Sequence, residues 1–519
     1  MRETIRYTAP EGESKPVCKH TFLLEEAADW LALRVKPDAK WGYVYLYDPL
    51  GRIRIQHLTK GGEMTLTLGF AAADSSCGSV PGDIPPGSWT LLYVGTWKQT
   101  PSYEMEVIAG NGPVSLESSV YRIGENVWTD INASDDGNIV LNLSKYDWNK
   151  VHQEGMRWYK GDFHMHTQLS DGKQTARELN DLALSRGLDF ITVTEHNLIT
   201  TGWPESPLLV IPGIEITSTK GHYNVLGIRR WVDFAGDGSG RPDSTVDQPL
   251  ALETEDGMER ILSDSRRQGA VCSMNHPLLP PWDWLYGGTR LERFDVIELW
   301  NDPTYPGKEP YPGNEVATER ALKMWDLLWK HGHMLWGIGG SDTHSLPHES
   351  YMEGGPPSIV GDPLTCVLAP NCSANAILEG IRNGRSYVTR GPLLEPKVVC
   401  GERTYVPGEQ VDLADVHAAP GASVHLRYEL EIQDAPEGSC IHWIENGDTV
   451  IVRPCGESGS QKHEMVWKPG EFQWIRVEIR DADKRLLAFV NPVFAGSAVP
   501  SVTYWSELME LLKGAETVD

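Results

Sequence analysis

From about residue 155 to 390, short apolar runs alternate with stretches of helical periodicity, and nearly every run delivers an ionisable or metal-coordinating side chain near one end. DFHMHT ends with His164 and His166, and the loop after it holds Asp171. FITVTEHN ends with Glu195 and His196, LLVIPGIEITS carries Glu215, and HYNVLGI opens with His222. GAVCSMNHP ends with Asn275 and His276, DVIELWN holds Glu298 and Asn301, and MLWGIGGSDTH ends with Asp342 and His344. These seven runs are expected to be strands, and their alternation with helices implies a parallel sheet. TARELNDLALSRG sets Leu179, Leu182 and Ala183 on one helical face. ATERALKMWDLLWKHG does the same with Ala317, Ala321, Met324, Trp325 and Leu328, and both end in Gly, as helices often do.

The side-chain period of a strand puts His164 and His166 on one face, and likewise Asp342 and His344. In a closed parallel barrel the strands' C-terminal ends converge on one rim, so residues remote in sequence meet there. A His-x-His pair alone says little: with 16 His in the chain it arises by chance about 0.5 times, and His331 with His333 is such a decoy. Asp171, in SDG, reads either as a ligand or as a turn former. A set of imidazoles and carboxylates without thiolate suits Zn, Mn or Fe(II) better than Ca or Mg. Gathered in a barrel mouth, such groups are costly to desolvate without cations.

HMH, SDG, TEHN, the isolated Glu215, His222, NHP and SDTH occur in the order and approximate spacing of the PHP (polymerase and histidinol phosphatase) superfamily, which the chain resembles over about 155–395. The downstream NGRSYVTRGPLL and NPVF resemble its carbaryl-hydrolase-like branch, loosely over 396–495. The resemblance implies an α/β fold built on a distorted seven-stranded β/α (TIM-like) barrel, with two or three divalent metals per chain (Zn, Mn or Fe). His164, His166, Glu215 and Asp342 resemble a first metal site, and Glu215 bridges to a second with His222 and His276. Asp171, His196 and His344 resemble a third. Asp342 is then the residue that orients or deprotonates the attacking water, and His344 or His196 steadies or protonates the leaving group. Glu195 stands where the family commonly has Asp; it is read as supporting the ligands, although its longer side chain has the reach of a ligand.

A chain of 519 residues is too long for one ordinary core. Residues 1–150 read as a β-sandwich: WGYVYLYDPLGR alternates Tyr43, Tyr45 and Tyr47 against Val44 and Leu46, GSWTLLYVG and SYEMEVIAG follow as strands, and SVPGDIPPG is loop. Residues 155–390 form the barrel, and 391–500 a second, Ig-like sandwich with an Asn446-Gly447 hairpin turn. A helix at 501–515 spaces Trp505, Leu508, Met509 and Leu512 for docking on its own domain. The formal charge of −26, from 46 basic and 72 acidic residues, opposes binding to polymeric nucleic acid and to a polymerase-associated role. MRETIRYTAPEGESK lacks the apolar core of a signal peptide and no run approaches a membrane span, so the expectation is a cytoplasmic protein without a membrane partner. The eight Cys lie scattered with no CxxC pair, as expected of reduced, mostly buried thiols.

The expected function is metal-dependent hydrolysis of a small-molecule ester, since water held between metals has its pKa lowered towards about 7. A phosphate mono- or diester, with an aryl group among the options, comes first because cations offset its anionic oxygens. An aryl carboxyl or carbamate ester on the same metal site is the alternative. A non-catalytic ligand-binding protein is the alternative of another class, and would be expected to have lost ligands that this chain keeps. Lys173, Lys220, Arg229 and Arg390 read either as phosphate-binding groups or as ordinary surface charges. Trp282, Trp284, Tyr286, Tyr305 and Tyr311, in the loops after the fifth and sixth runs, read equally as pocket walls or as loop packing. Glu298 reads as a support or substrate contact, or as a solvated or salt-bridged strand residue.

Overall fold

The computed structural model describes residues 1–8, 17–38, 41–95, 102–132, 140–234, 250–413 and 423–517; the end of the MRETIRYTAPEGESK segment lies outside them. The fold is mixed α/β with extensive sheet. Six of the seven central runs hold strands, Phe190–Val193, Leu209–Ser218, Gly221–Leu226, Val271–Met274, Val296–Asn301 and Trp336–Gly340; the first, DFHMHT, begins where the strand Glu154–Asp162 ends, so His164 and His166 lie just beyond it rather than on a strand face. The seven strands lie side by side in chain order. Phe190 pairs with Gly161 and with Leu209, Val296 with Ser273 and with Trp336, all in parallel.

The fourth strand departs from the parallel expectation. Gly221–Leu226 runs antiparallel to both neighbours, with Thr217 opposite His222 and Tyr223 opposite Met274. Residues 218–221 turn too tightly for a crossover, and only an antiparallel pair can be joined so briefly. The reversal carries its opening residue, His222, to the rim where the other strands end. The outer strands of the set also meet there: Asp342 N–H donates to the His164 carbonyl (2.8 Å) and His166 N–H to that of Thr343 (3.2 Å). Buried Asp162 ties the same two segments, accepting from the N–H groups of His164 (3.1 Å), Ser341 (3.1 Å) and Gly361 (2.7 Å).

Helix α1, Ala176–Ser185, starts at Thr175, whose hydroxyl and Glu178 form a capping box, and buries Leu179 and Ala183. Helix α2 is Glu255–Arg267. Helix α3, Asn314–Lys330, buries all five residues expected on its inner face. Both α1 and α3 are followed by a glycine in the left-handed region, Gly187 (φ 72°) and Gly332 (φ 82°), where a side chain would be strained.

The N-terminal region holds two four-stranded sheets packed on a shared core that includes Leu33, Val44, Leu46 and Trp89. In its second sheet the adjacent strands Gly42–Tyr47 and Ile53–Thr59 are buried on both faces. Val44 and Leu46 enter the sandwich core, whereas Tyr43, Tyr45 and Tyr47 join the large core of the central region. The C-terminal strands pack round their own core, with Asn446 (φ 51°) and Gly447 (φ 83°) making the expected turn. One of their sheets is continuous with the central sheet across residue 391, because Ser386–Thr389 pairs with both Leu364–Asn371 and Leu486–Ala495. The last helix, Trp505–Glu516, docks within the chain as expected, but on the central region: Trp505 Nε1 donates to the Trp284 carbonyl (2.9 Å) and Glu516 pairs with Arg320 of α3 (2.7 Å). All eight Cys are free, and all but Cys440 are buried. Among the described residues no helix is long and apolar enough to cross a membrane.

Asn491, from the NPVF stretch, joins three segments. Its Oδ1 accepts from Gly337 N–H (2.7 Å), and its Nδ2 reaches the Gly337 carbonyl (2.9 Å) and Ser386 Oγ (2.8 Å) with no exposed surface. Asn491→Leu leaves these buried groups without partners, and at ~1–3 kcal/mol for each it is expected to destabilise the chain by about 2–4 kcal/mol. A denaturant titration checks this; an unchanged midpoint would show that the junction does not depend on Asn491.

Candidate metal centre

The strand ends bring the nine expected ligands to one place. Glu215 lies within its ten-residue strand rather than at its end, but the second strand is so short that His196 is already level with it in a parallel bridge. His164 Nε2 (3.3 Å), His166 Nε2 (3.6 Å), His196 Nδ1 (2.7 Å), His222 Nδ1 (3.2 Å) and His276 Nε2 (3.6 Å) all face the Glu215 carboxylate. Asp342 Oδ1 lies 3.2 Å from His164 Nε2 and 3.0 Å from His166 Nε2. Asp171 Oδ1 lies 3.4 Å from His196 Nε2 and 3.2 Å from His344 Nε2.

Three sets have ligand atoms within 4.8 Å of one another: His164, His166 and Glu215; His196, Glu215 and His222; and His166, Asp171, His196 and His344. The grouping, made among the described residues, overlaps the expected one with four differences. His196 stands between the second and third sets, and His166 joins the third as well as the first. His276 and Asp342 fall in none of the three, although the His276 ring faces Glu215 and Asp342 faces His164 and His166. His331 and His333 are remote, bonded to Ser501 Oγ and the Val502 carbonyl.

The surrounding groups fix how these rings present themselves. His164 Nδ1–H donates to Glu298 Oε1 (3.0 Å), leaving Nε2 to face the carboxylates. Glu298 Oε2 also accepts the His276 N–H (3.1 Å) and Asn301 Nδ2 (3.0 Å), so Glu298 is a buried partner of His164 and His276 and not a solvated strand residue. His344 Nδ1–H donates to the Asp342 carbonyl (2.7 Å), again leaving Nε2 for Asp171. Asn275 Nδ2 donates to Glu215 Oε1 (2.9 Å). Asp342 (φ 48°) and His276 (φ 28°) hold left-handed backbone, so Asp342 is set by a turn beyond the seventh strand rather than by strand alternation. The Glu195 carboxylate belongs to none of the three sets, although the residue's carbonyl accepts the Glu215 N–H (3.1 Å). The carboxylate oxygens accept from the N–H groups of Thr167 (3.0 Å) and Ser170 (3.1 Å) and from both hydroxyls, which fixes the loop that carries Asp171.

The electrostatics are those of a site built round cations. Burial pushes the His164 imidazole down, but Asp342, Glu298 and Glu215 outweigh it and hold it well above the usual histidine range. Burial is likewise outweighed at His196, by Asp171 and Glu215, and at His344, which is raised to about 9 chiefly by Asp171. Burial wins at His166, lowered to about 3, with His344 and His196 adding to the push. Burial raises Asp171, Glu215 and Asp342, yet the facing histidines hold all three well below the carboxylate range. Four of the candidate ligand atoms are orphaned: His164 Nε2, His222 Nε2, Asp171 Oδ1 and Glu215 Oε2 are buried without a hydrogen-bond partner. Glu215 Oε2 lies close to His196 Nδ1 but out of line for a bond. Buried polar atoms are rarely left so, and nitrogen and carboxylate oxygen aimed at common points fit divalent ions.

Next to the ligands opens a pocket of about 440 Å³. Trp282 and Tyr305, from the aromatic loops, line it. Trp284 and Tyr286 are instead buried packing residues, and Tyr311 is exposed at 44%. No Lys or Arg is among the described residues that line the pocket. The four candidate phosphate-binding cations are engaged elsewhere: Lys173 with Glu349 (2.8 Å), Lys220 with the Glu253 carbonyl (2.9 Å), Arg229 over the Trp148 ring (4.1 Å), and Arg390 with Asp362 (2.6 Å).

The sequence reading missed the part played by the N-terminal sandwich. Lys60 Nζ donates to the carbonyls of Gln168 (3.2 Å) and Gly172 (2.9 Å), on either side of Asp171. Gln56 exchanges two hydrogen bonds with the Ile199 backbone (2.7 and 3.0 Å). Tyr45 O–H donates to the carbonyl of Asn197, the residue after His196 (3.0 Å). The signal was the Tyr43/Tyr45/Tyr47 face itself: a strand apolar or aromatic on both faces is one buried on both.

No family model matches the chain, and no curated protein does. Among solved structures, it is similar to a two-domain protein from Bacteroides vulgatus containing a predicted PHP-like metal-dependent phosphoesterase, at 17% identity over 67% of this chain and 99% of that one, with a TM-score of 0.33. A proposed metal-dependent phosphoesterase from Bifidobacterium adolescentis matches at 18% identity over 38% and 91% (TM-score 0.26). An amidohydrolase from Chromobacterium violaceum, with bound sulfate and no metal, matches at 14% identity over 37% and 89% (TM-score 0.20). All three TM-scores lie below 0.5, so the function rests on the chemistry of the site.

Two outcomes follow from this geometry. Glu298→Gln replaces the carboxylate that orients His164, and metal affinity is expected to fall ~10–100-fold; competition with a chelator measures it, and unchanged affinity would remove Glu298 from that role. The second concerns protons. His344 is raised to about 9, so its pairing with Asp171 contributes stability in full below pH ~6.5 and loses it as pH rises through about 9. An ion needs the neutral ring. Metal binding at pH 7 should therefore release protons, and apparent affinity should climb between pH 6.5 and 9. Calorimetry in two buffers of different ionisation enthalpy counts the protons; none released at pH 7 contradicts the assignment.

Proposed function

We propose that the chain is a metal-dependent ester hydrolase of the PHP superfamily, its seven central strands forming a distorted barrel joined where Asp342 and Thr343 meet His164 and His166. The observation that carries the reading is the convergence of five imidazoles on the buried Glu215 carboxylate, with His164 Nε2, His222 Nε2, Asp171 Oδ1 and Glu215 Oε2 left without hydrogen-bond partners, beside a pocket large enough for a small molecule. His164, His166, Glu215 and Asp342 would hold one ion, Glu215, His222 and His276 a second, and Asp171, His196 and His344 a third. Bound ions supply a water of lowered pKa and draw electron density from the ester under attack.

The chain's own residues do the rest. Asp342 presents Oδ1 towards His164 and His166, while Oδ2 accepts from Asn301 Nδ2 (3.3 Å). A carboxylate fixed this way orients the attacking water and takes its proton. With the third position filled, His344 and His196 would steady the leaving group through its ion; with that position empty, His344, raised to about 9, would be the nearby proton donor.

A small-molecule phosphoester is the first reading, and a diester suits the site better than a monoester, since no Lys or Arg lines the pocket to share a second negative charge. The same observation, with Trp282 and Tyr305 at the wall, favours an aryl carboxyl or carbamate ester as the second reading. The site's retained ligands speak against a non-catalytic binding protein. The test is metal analysis of the purified protein followed by a Zn- and Mn-supplemented screen of aryl phosphate mono- and diesters, carboxyl esters and carbamates. Asp342→Asn is expected to lower kcat by ~10²–10⁴-fold on whichever ester turns over. Sub-stoichiometric metal and no turnover on any ester would sink the proposal.

A further inference from the structure

One wall of the pocket comes from a part of the chain to which the proposed reaction assigns nothing. Tyr43 and Leu58, from the second sheet of the N-terminal sandwich, and Trp41, just before the strand Gly42–Tyr47, line the space that Asp171, His196 and Asp342 also line. Trp282 and Tyr305 line the same space, ring centroids 5.7 Å apart and edge to face. Tyr305 packs in turn on Tyr351 (5.3 Å), whose O–H is held by Asp302 (2.7 Å). Both walls are therefore braced before any ligand arrives. On the sandwich side, Tyr43 O–H lies 3.3 Å from Asn197 Nδ2, next to His196. Burial raises the Tyr43 phenol, and Asp171 and Glu215 raise it further, which keeps it neutral and marks how near it lies to the ligands.

We propose that the N-terminal β-sandwich selects the substrate, Trp41, Tyr43 and Leu58 forming with Trp282 and Tyr305 a slot that takes a planar aryl group while the ester faces Asp342. This rests on the hydrolase reading above for the identity of the reacting end, but the slot itself follows from the lining. Trp41, Trp282 and Tyr305 are only half-buried, so each keeps ring surface for a ligand. Fixed aromatic faces with no cation among them recognise flat apolar groups through area and stacking. A substrate carrying a second anionic group away from the ester meets no Lys or Arg there among the described residues.

The experiment uses the full chain loaded with Zn or Mn and two inert probes, phenylphosphonate and methylphosphonate, with binding read by calorimetry. The parent is expected to prefer the phenyl probe. In Trp41→Ala the phenyl probe should weaken about tenfold, the scale set by loss of one apolar contact surface, while the methyl probe changes much less. Trp41→Phe should restore most of the difference, and metal content should stay that of the parent in both variants. Equal loss of both probes, or a parent blind to the phenyl group, overturns the slot. Steady-state kinetics on phenyl and methyl esters separates the two claims. A parent that hydrolyses no ester but loses phenyl selectivity in Trp41→Ala keeps the slot and discards the hydrolase; one that hydrolyses phenyl esters unaffected by Trp41→Ala does the reverse.

Discussion

Five imidazoles lie within 3.6 Å of the Glu215 carboxylate, in a place from which water is largely excluded. Such crowding is unfavourable unless something offsets it, because each buried charge or lone pair loses its hydration and several donors compete for two oxygens. The protein answers in part with its own charges, Asp342 and Asp171 each facing histidines. The orphaned nitrogens and oxygens show that this answer is incomplete. Cations at the same points would satisfy them and neutralise the carboxylates together, so much of the surrounding structure can be understood as what holds this cluster in place.

Three features of the backbone make the crowding possible. The second strand is short, so that His196, just past its end, comes level with Glu215 inside the longer third strand. The fourth strand is reversed, which brings His222 to the rim from the strand's beginning. Asp342 and His276 adopt left-handed backbone, turning their side chains inward where an extended chain would carry them past. Asp162, Glu195 and Glu298 then hold the segments from behind through hydrogen bonds to backbone N–H groups and to His164. Three carboxylates spent on positioning and three facing the histidines account for six buried or nearly buried acids at one rim.

Much of this was legible in the sequence. Six of the seven runs hold strands and the first begins where one ends, and the capping box with its following glycine marked α1. The ligand types could be read because nitrogen and oxygen donors recur at strand ends, which local pattern records. What pattern does not record is direction and depth. HYNVLGI looks the same whichever way it runs, so only the four-residue connection before it betrayed the reversal. His166 and His196 each serve two ligand sets, which is a matter of distance across the rim and has no trace in spacing. The tyrosine face of residues 43–47 was read as one side of a strand, whereas both sides are buried, one against a domain that sequence order places more than a hundred residues away.

That last contact changes how the charge of the site is understood. The pocket holds Asp171, Asp302 and Asp342 but no Lys or Arg among its described lining. Asp302 is already satisfied, accepting from Thr304 Oγ1 (2.6 Å), Tyr351 O–H (2.7 Å) and Ser358 O–H (3.0 Å). Apart from the histidines, any positive charge that a bound molecule met would be that of ions, at one end of the space. The apolar part of the lining offers shape and ring surface instead, and three of its residues, Trp41, Tyr43 and Leu58, belong to the N-terminal region. On the proposed reading, a strongly acidic chain would accept an anionic ester only where ions were held, which would tie substrate orientation to metal binding: the charged or polarisable end would go towards Glu215 and Asp342, and the apolar end towards the aromatic walls.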